Sequence, residues 1–364
     1  MQLRYKKITI KIGSNVLAKS DGTLNVSHIA HLVNQIAFLH KKGVEVVLVS
    51  SGAVAAGRAV LEPLKKTDAV SQRQLWAALG QVKLISRYSD FFNEHGLICA
   101  QVLTTKENFS DRVHYLNMKN CINTMLDNKV IPIVNENDTI SVTELMFTDN
   151  DELSGLIAAM VNSEALVILT NVNGVYNQHP ENHDAELISK VDLNEPDIEK
   201  NVAKERSNFG RGGMITKLKI AKKVAGDGIA VHIANGSVEN ILIDLLDKGK
   251  ELEHTYFVPN KKTSSGIKKW IGYSNDFAKG QVTVNQGAIK ALNSEKAVSL
   301  LPVGIVEIIH EFKKGDLIKI VDESGITVGV GRAQYGSDKI DTEKSSVKQK
   351  PIVHYDYLYM ENKK

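Results

Sequence analysis

The stretch whose residue types most directly suggest chemistry is GRGGMITK at 210–217, a glycine-rich turn opening a helical pattern. Glycines let a backbone approach a phosphate closely, and a helix N-terminus attracts anions through its free N–H groups and dipole. Lys217 falls in the first helical turn, where its ammonium would serve as a point charge for a β- or γ-phosphate. The turn is not a GxxxxGK[ST] loop, which occurs nowhere in the chain, and it is not a GxGxxG fingerprint. Lys11 stands at the end of a β-branched run, directly before Gly13-Ser14. A lysine there is poorly accommodated in a buried sheet unless an anion partners it. Three further polar turns share this character: Ser51-Gly52-Ala53, Asn135-Glu136-Asn137-Asp138 and Asp149-Asn150-Asp151-Glu152. Each has a plain reading when taken alone: a tight turn, an edge-strand lysine facing water, a βα loop, or a helix cap with dipole compensation. Gathered on one face, they supply two lysines, backbone N–H groups, carboxylates and amides. Phosphoryl transfer needs that inventory, because its catalysis is mainly positioning and neutralisation of charge.

The elements that must position these turns repeat one theme over the first 258 residues: a short apolar run, a polar turn, then a helical stretch. Strands are expected at 8–12, 44–50, 97–103, 130–134, 166–170 and 229–233, with helices after Ser51-Gly52-Ala53, around 116–127, through LSGLIAAMV, and from Met214. Strands alternating with helices imply right-handed crossovers and a mostly parallel sheet covered on both faces. Ligands of such sheets bind beyond the carboxyl ends of the strands, where all the polar turns fall. Near residue 259 the composition changes. PNKKTSSG at 259–266 is polar, and the remainder of the chain reads as mostly β, with strands at 281–285, 317–322 and 326–330, a turn at Glu323-Ser324-Gly325 and one short helix at 287–292. The expected organisation is a domain at 1–258, a linker at 259–275, a small β domain at 276–356 and a tail at 357–364. The fold class is therefore α/β, a mostly parallel sheet sandwiched by helices, plus a small mainly-β domain.

Composition narrows the setting. The 364 residues include 45 basic and 42 acidic side chains, a net charge of +3, too balanced to argue for nucleic acid or an anionic membrane. From 276 to 364 there are 13 basic and 12 acidic residues, a net of +1, without the basic stripe of a strong phosphate-backbone binder. Two cysteines, Cys99 and Cys121, without a CxxC pair argue against a disulfide framework, and no apolar run approaches the length that spans a bilayer. The N-terminus lacks a signal-like apolar region. A cytoplasmic protein is expected. The 11 histidines show no metal-ligand spacing.

Seven segments in order, IKIGSN at 10–15, VSSGAVAAG at 49–57, LWAALGQ at 75–81, IPIVNENDTI at 131–140, TDNDELSG at 148–155, ILTNVNGVY at 168–176 and GRGGMITKL at 210–218, resemble the motifs of the glutamate 5-kinases of the amino-acid kinase superfamily. SLLPVGI at 299–305, FKKGDLIKIVD at 312–322 and GVGRAQYGS at 329–337 resemble a PUA domain, the partner that bacterial members of that family carry.

The resemblance implies transfer of the ATP γ-phosphate to the side-chain carboxylate of L-glutamate, the first step of proline biosynthesis. By motif position, Ser51, Gly52, Ala53, Asn135, Asp138 and Asn150 would bind glutamate, with Asp138 facing its α-ammonium. Lys11 and Lys217 would stabilise charge on the transferring group and Asp151 would orient both. Lys11, Thr170, Asn171, Arg211, Gly212, Gly213, Met214, Ile215, Thr216 and Lys217 would line the nucleotide site, with Mg²⁺ arriving on ATP rather than in a protein cage. The family further implies feedback inhibition by L-proline, a homo-oligomer (dimer or tetramer) and hand-off to glutamyl-phosphate reductase. Two departures stand out: Thr170-Asn171 where the family has Thr-Asp, and Arg211 where it has threonine in GTGGM. The alternatives are a sister kinase acting on acetylglutamate or aspartate, and an RNA-binding regulator acting through the PUA-like domain.

Overall fold

The β-branched runs form strands β1 (Lys7–Ile12), β2 (Glu45–Ser50), β3 (Cys99–Thr104), β4 (Ile131–Glu136) and β5 (Ala165–Thr170), followed by β6 (Lys190–Val191), β7 (Ala230–Asn235) and β8 (Thr255–Phe257). In the computed structural model they make one sheet in the order β3-β4-β2-β1-β5-β7-β8-β6. The structure describes residues 1–19, 21–62, 67–141, 150–193, 213–261, 266–274, 278–294, 297–340 and 350–360. It divides into two units, Met1–Thr263 and Ser264–Lys364.

Six strands of the first unit are mutually parallel; β8 runs antiparallel to β7, so the sheet is mostly parallel, as expected. The register sets Ile12 beside Ser50, Glu136 beside Thr104, and Thr170 beside Asn235, which lines up the carboxyl ends along one edge. Helices are α1 (Ser14–Leu17), α2 (Val26–Lys41), α3 (Ala53–Arg58), α4 (Ala69–Glu94), α5 (Glu107–Ser110), α6 (Arg112–Asp127), α7 (Asn150–Val161), α8 (Met214–Gly226) and α9 (Ile241–Leu246). Ile8, Ile10 and Ile12 enter a core shared with α2, α4 and α9. The alternate residues of β1 face α7: Thr9 Oγ1 meets Ser163 Oγ at 2.8 Å and Lys11 meets Asp151, one contact at each end of the helix. A helix apolar on all sides must be buried on all sides, and α7 is: Leu153 to Val161 are all buried.

Two glycines bring α3 and α4 into contact. A Cβ on Gly57 would overlap the Trp76 backbone, and one on Gly80 would overlap the Ala53 carbonyl. The glycines of VSSGAVAAG and LWAALGQ therefore let two helix backbones approach closely, which seats the interior of α4, at Trp76 and Gly80, against α3 at Ala53 and Gly57.

A partly buried chain of hydrogen bonds, centred on the buried His232, lies under the lead-in to β1. Leu252 O can only accept, so His254 Nδ1, 2.9 Å away, carries the proton. His254 Nε2 then accepts from His232 Nδ1 at 3.0 Å, and His232 Nε2 accepts from Tyr5 OH at 2.9 Å. Burial, with His254 and Arg4 nearby, pushes the His232 pKa down to about 3; burial likewise lowers that of His254. Both rings are neutral in the fold and protonate more readily when unfolded. Their contribution is complete above the unfolded value near 6.5 and declines as pH falls below it. For His232 the slope is about 1.4 kcal/mol per pH unit. Urea unfolding between pH 7 and pH 5 should show a shallower pH dependence in His232→Gln than in wild type; parallel curves would refute the assignment.

The second unit holds α10 (Gly266–Tyr273), β9 (Gly280–Val284), α11 (Gln286–Leu292), β10 (Ile305–His310), β11 (Leu317–Val321), β12 (Thr327–Ala333) and β13 (Val353–Met360). Its sheet has the order β10-β9-β11-β12-β13. β11 and β12 pair as an antiparallel hairpin whose turn has Gly325 at φ +82° and the Asp322 carboxylate accepting from the Ser324 and Ile326 N–H groups.

Two sequence expectations are corrected here. Residues 266–273, assigned to a linker, form α10, because Ile267, Trp270 and Ile271 recur at helical spacing; Trp270 and Ile271 are buried and the helix packs on β12 and β13. Residues 357–360, assigned to a tail, complete β13, with Leu358 and Met360 buried in the core. The polar run at 259–266 marks where the first domain ends but not where the next begins, and the apolar residues at helical or alternating positions place both segments in the second unit.

Candidate active site

The site is built along the carboxyl edge of the large sheet, with a charged centre flanked by two polar ends. The centre is Asp151. It sits in the first turn of α7, where a carboxylate also suits the helix dipole, and it is fully buried. Lys11 Nζ, from the end of β1, is 2.5 Å from Asp151 Oδ1; Lys217 Nζ, from the first turn of α8, is 2.8 Å from Oδ2. Lys11 is 4% exposed and Lys217 9%. Burial would push the Asp151 carboxyl up, but the two ammonium charges and their hydrogen bonds outweigh it and hold the pKa below the usual carboxylate range. Because β1 lies inside the sheet between β2 and β5, Lys11 is not an edge-strand charge facing water. Gly13 leaves the space beside it open: a Cβ there would lie 3.6 Å from Lys11 Nζ and 3.1 Å from Leu169 O.

At one end, the turns after β2 and β4 meet the start of α7. Asn150 Nδ2 donates to Ser51 Oγ at 2.8 Å, to Ser50 O at 3.2 Å and to Asn135 Oδ1 at 3.2 Å; Asn135 Oδ1 also accepts from the Glu136 N–H. Gly52, at φ +101°, adopts a backbone conformation that favours glycine and turns the chain into α3. Ala53 opens α3 with its methyl group buried in the core, so what it presents at this turn is its backbone. Asp138 lies beyond β4 and pairs with Arg73 Nη2 at 2.8 Å. Gln74 Nε2 donates to Thr139 O at 2.8 Å, and Gln81 Nε2 to Glu136 O at 3.3 Å. Gln74 and Gln81, seven residues apart, share one face of α4, and Arg73 borders it. None was singled out from sequence, although Gln81 closes the LWAALGQ motif; a charge on an amphipathic helix ordinarily reads as solvent-facing.

At the other end, β5 and β7 finish side by side. Gly236 N–H donates to Thr170 O at 2.8 Å and Asn235 Nδ2 donates to Asn173 Oδ1 at 3.1 Å. Thr170 is buried, and Asn171 is exposed at the rim. Gly213, Met214, Ile215 and Thr216 open α8, whose start has no side-chain cap. Arg211 and Gly212 lie outside the described residues. The two groups are linked through Lys217, Asp151 and α7, which packs on β5 and α8. Asn173 and Asn235 were not singled out from sequence as ligands, because asparagines at strand ends commonly satisfy turns.

This arrangement, a buried carboxylate holding two lysines between an amide-lined end and an open helix start, suits a small-molecule phosphotransferase. A model of the amino acid kinase family matches residues 6–235, and one of the PUA domain matches 280–353. The chain is 53% identical over 361 residues to a glutamate 5-kinase of Bacteroides thetaiotaomicron, covering 99% of this chain and 100% of that one. It is 44% identical over 357 residues to a glutamate 5-kinase of Chlorobaculum tepidum, covering 98% of each. A carbamate kinase from Giardia lamblia bound to AMP-PNP shares the fold at TM-score 0.51 and 21% identity, covering 71% of this chain and 99% of that one. The chain belongs to the amino acid kinase family, within its glutamate 5-kinase branch.

Proposed function

We propose that the chain transfers the γ-phosphoryl group of ATP to the side-chain carboxylate of L-glutamate, giving L-glutamyl 5-phosphate and ADP at the entry to proline biosynthesis. The observation that carries this reading is the buried Lys11–Asp151–Lys217 bridge between the two polar ends. A carboxylate oxygen of glutamate attacks the γ-phosphorus, and the bond from that phosphorus to the β,γ-bridging oxygen breaks. The nucleophile needs no general base, since a glutamate carboxyl group with a reference pKa of about 4.3 is already ionised at neutral pH. The difficulty is instead that one anion attacks another. Lys11 and Lys217 lower that repulsion by placing two cations beside the transferring group, and Asp151 holds them there. Both Asp151 oxygens are taken by lysines, so we assign Mg²⁺ to the phosphates of ATP, where it neutralises charge when bound. Ser51, Asn135, Asp138 and Asn150 hold glutamate; Thr170, Asn171 and residues 211–217 hold the nucleotide.

Hydroxylamine trapping tests the reaction, because an acyl phosphate forms a hydroxamate and a simple ATPase product does not. Hydroxamate should accumulate with L-glutamate and not with N-acetylglutamate or aspartate; preference for either of the latter would overturn the reading. Asn171 and Arg211 replace a family carboxylate and threonine, shifting the nucleotide edge toward positive charge. Asn171→Asp and Arg211→Thr should each change the KM for ATP or GTP by about threefold, the scale of one solvent-screened charge interaction. Unchanged values in both would sink that idea.

L-Proline carries the same α-ammonium and carboxylate as glutamate, so we place its inhibitory site over the Asp138 end. Activity that survives millimolar proline would count against this. We further assign the protein to the cytoplasm as a homo-oligomer that passes its labile acyl phosphate to glutamyl-phosphate reductase. No helix of the described residues is long and apolar enough to cross a membrane.

A further inference from the structure

We propose that Arg73 binds the α-carboxylate of the substrate, so that Arg73 and Asp138 together recognise the zwitterion at the α-carbon; this rests on the glutamate reading above. L-Glutamate brings one ammonium and two carboxylates. Asp138 suits the ammonium, but an aspartate alone would repel the α-carboxylate attached to the same carbon. A cation is needed there. Among the described residues, Lys11 and Lys217 at the centre pair with Asp151, and Lys106 pairs with Glu152 at 3.4 Å.

Arg73 meets the requirement. Its Nη2 donates to Asp138 Oδ1 at 2.8 Å, with the Arg73 side chain 35% exposed and that of Asp138 10%. Its Nε is buried and, among the described residues, has no hydrogen-bond partner. A guanidinium offers five N–H donors in a planar fork that fits a carboxylate by two parallel bonds. The scaffold holds that fork in place. Asp68 caps α4 by accepting from the Val70 and Ser71 N–H groups, Gln74 anchors the neighbouring turn at Thr139, and Gly57 and Gly80 seat α4 on α3. Without substrate, Arg73 and Asp138 neutralise each other. With it, each takes the opposite charge of the same α-carbon while staying adjacent. The pair then rejects a ligand lacking either charge, which gives a physical reason to exclude N-acetylated acids, whose nitrogen is neutral.

The test separates substrate binding from simple bracing of the Asp138 turn. In Arg73→Met the KM for L-glutamate should rise about 10²-fold, with kcat and the KM for ATP within about threefold of wild type. Arg73→Lys, which keeps the charge but loses the fork, should raise that KM only about tenfold. The decisive readout is selectivity for L-glutamate over its α-amide, in which the α-carboxylate is neutral. Wild type should prefer glutamate by about 10²-fold in kcat/KM, and Arg73→Met should lose most of that preference. An Arg73→Met enzyme whose KM for glutamate stays within threefold of wild type, or that loses activity equally on glutamate and its α-amide, would overturn the proposal while leaving the parent reading intact. Absence of glutamate-dependent hydroxamate from wild type itself would overturn both.

Discussion

Lys217→Met should lower kcat by about 10²- to 10³-fold while leaving the KM for L-glutamate within about threefold. Methionine keeps the unbranched stem and suits a helix, so α8 should persist and the change reduces to loss of one buried ammonium. That ammonium leaves the first turn of α8, the element whose start we assign to the nucleotide phosphates, and lies 2.8 Å from Asp151. Charge on the phosphoryl oxygens is redistributed during transfer, and a fixed cation in a site shielded from water stabilises the transition state more than the bound substrates. The effect should therefore fall on kcat rather than on glutamate binding. Lys217→Arg should retain part of the activity, since it keeps the charge but must fit a broader group into a pocket where lysine is only 9% exposed. Steady-state kinetics from hydroxamate formation, with thermal unfolding as a control for folding, reads both variants. A kcat for Lys217→Met within fivefold of wild type would reduce Lys217 to a structural partner of Asp151.

Asp151→Asn should be more damaging, and in a way that ATP partly reverses. The substitution removes the charge that Lys11 and Lys217 share and leaves two ammonium groups facing one amide. Two like charges roughly 5 Å apart repel by about 3 kcal/mol at an effective dielectric constant near 20. Loss of one member of a buried ionic group destabilises by about 3–5 kcal/mol. Urea unfolding of the ligand-free variant should show a loss on this scale. On the proposed reading the phosphates of ATP restore negative charge between the lysines, so saturating MgATP should stabilise the variant more than it stabilises wild type. Activity should drop by about 10³-fold or more, since neither lysine is then held in position. A ligand-free variant as stable as wild type would show that Asp151 does not govern the lysine pair, and equal stabilisation of both proteins by MgATP would show that the phosphates do not bind between them.

The two variants separate roles that a static picture merges. Lys217 is expected to act on the reacting atoms, so its loss should appear mainly in the rate. Asp151 is expected to act through the lysines it contacts, so its loss should appear in stability, ligand response and rate together. The His232 chain behaves differently again, since it lies away from the carboxyl edge and should influence acid stability without changing the chemistry.

Local pattern was sufficient for much of this protein. Runs such as 44–50 and 166–170 are apolar because parallel strands are buried on both faces, and each ends in a polar turn because the backbone must leave the sheet there. Those two facts determined the six parallel strands and the edge on which the site lies. The glycines at 212 and 213 and Lys217 marked a phosphate-type helix start from residue chemistry alone, and the ordered motifs supplied the family. Tertiary structure decided what contacts what. Lys11, Asp151 and Lys217 are far apart in the chain and meet only because crossovers bring β1, α7 and α8 together. Arg73 looked like an ordinary helix charge until α4 was seated by Gly57 and Gly80. Segment 266–273 looked like a linker until Trp270 and Ile271 found β12 and β13 to pack against. His232 and His254 carry no sequence signal, because their protonation is set by burial and by a hydrogen-bond chain from Tyr5 to Leu252. Sequence periodicity reports the face an element must bury, a short-range property; partners across the fold depend on topology, which no local window contains.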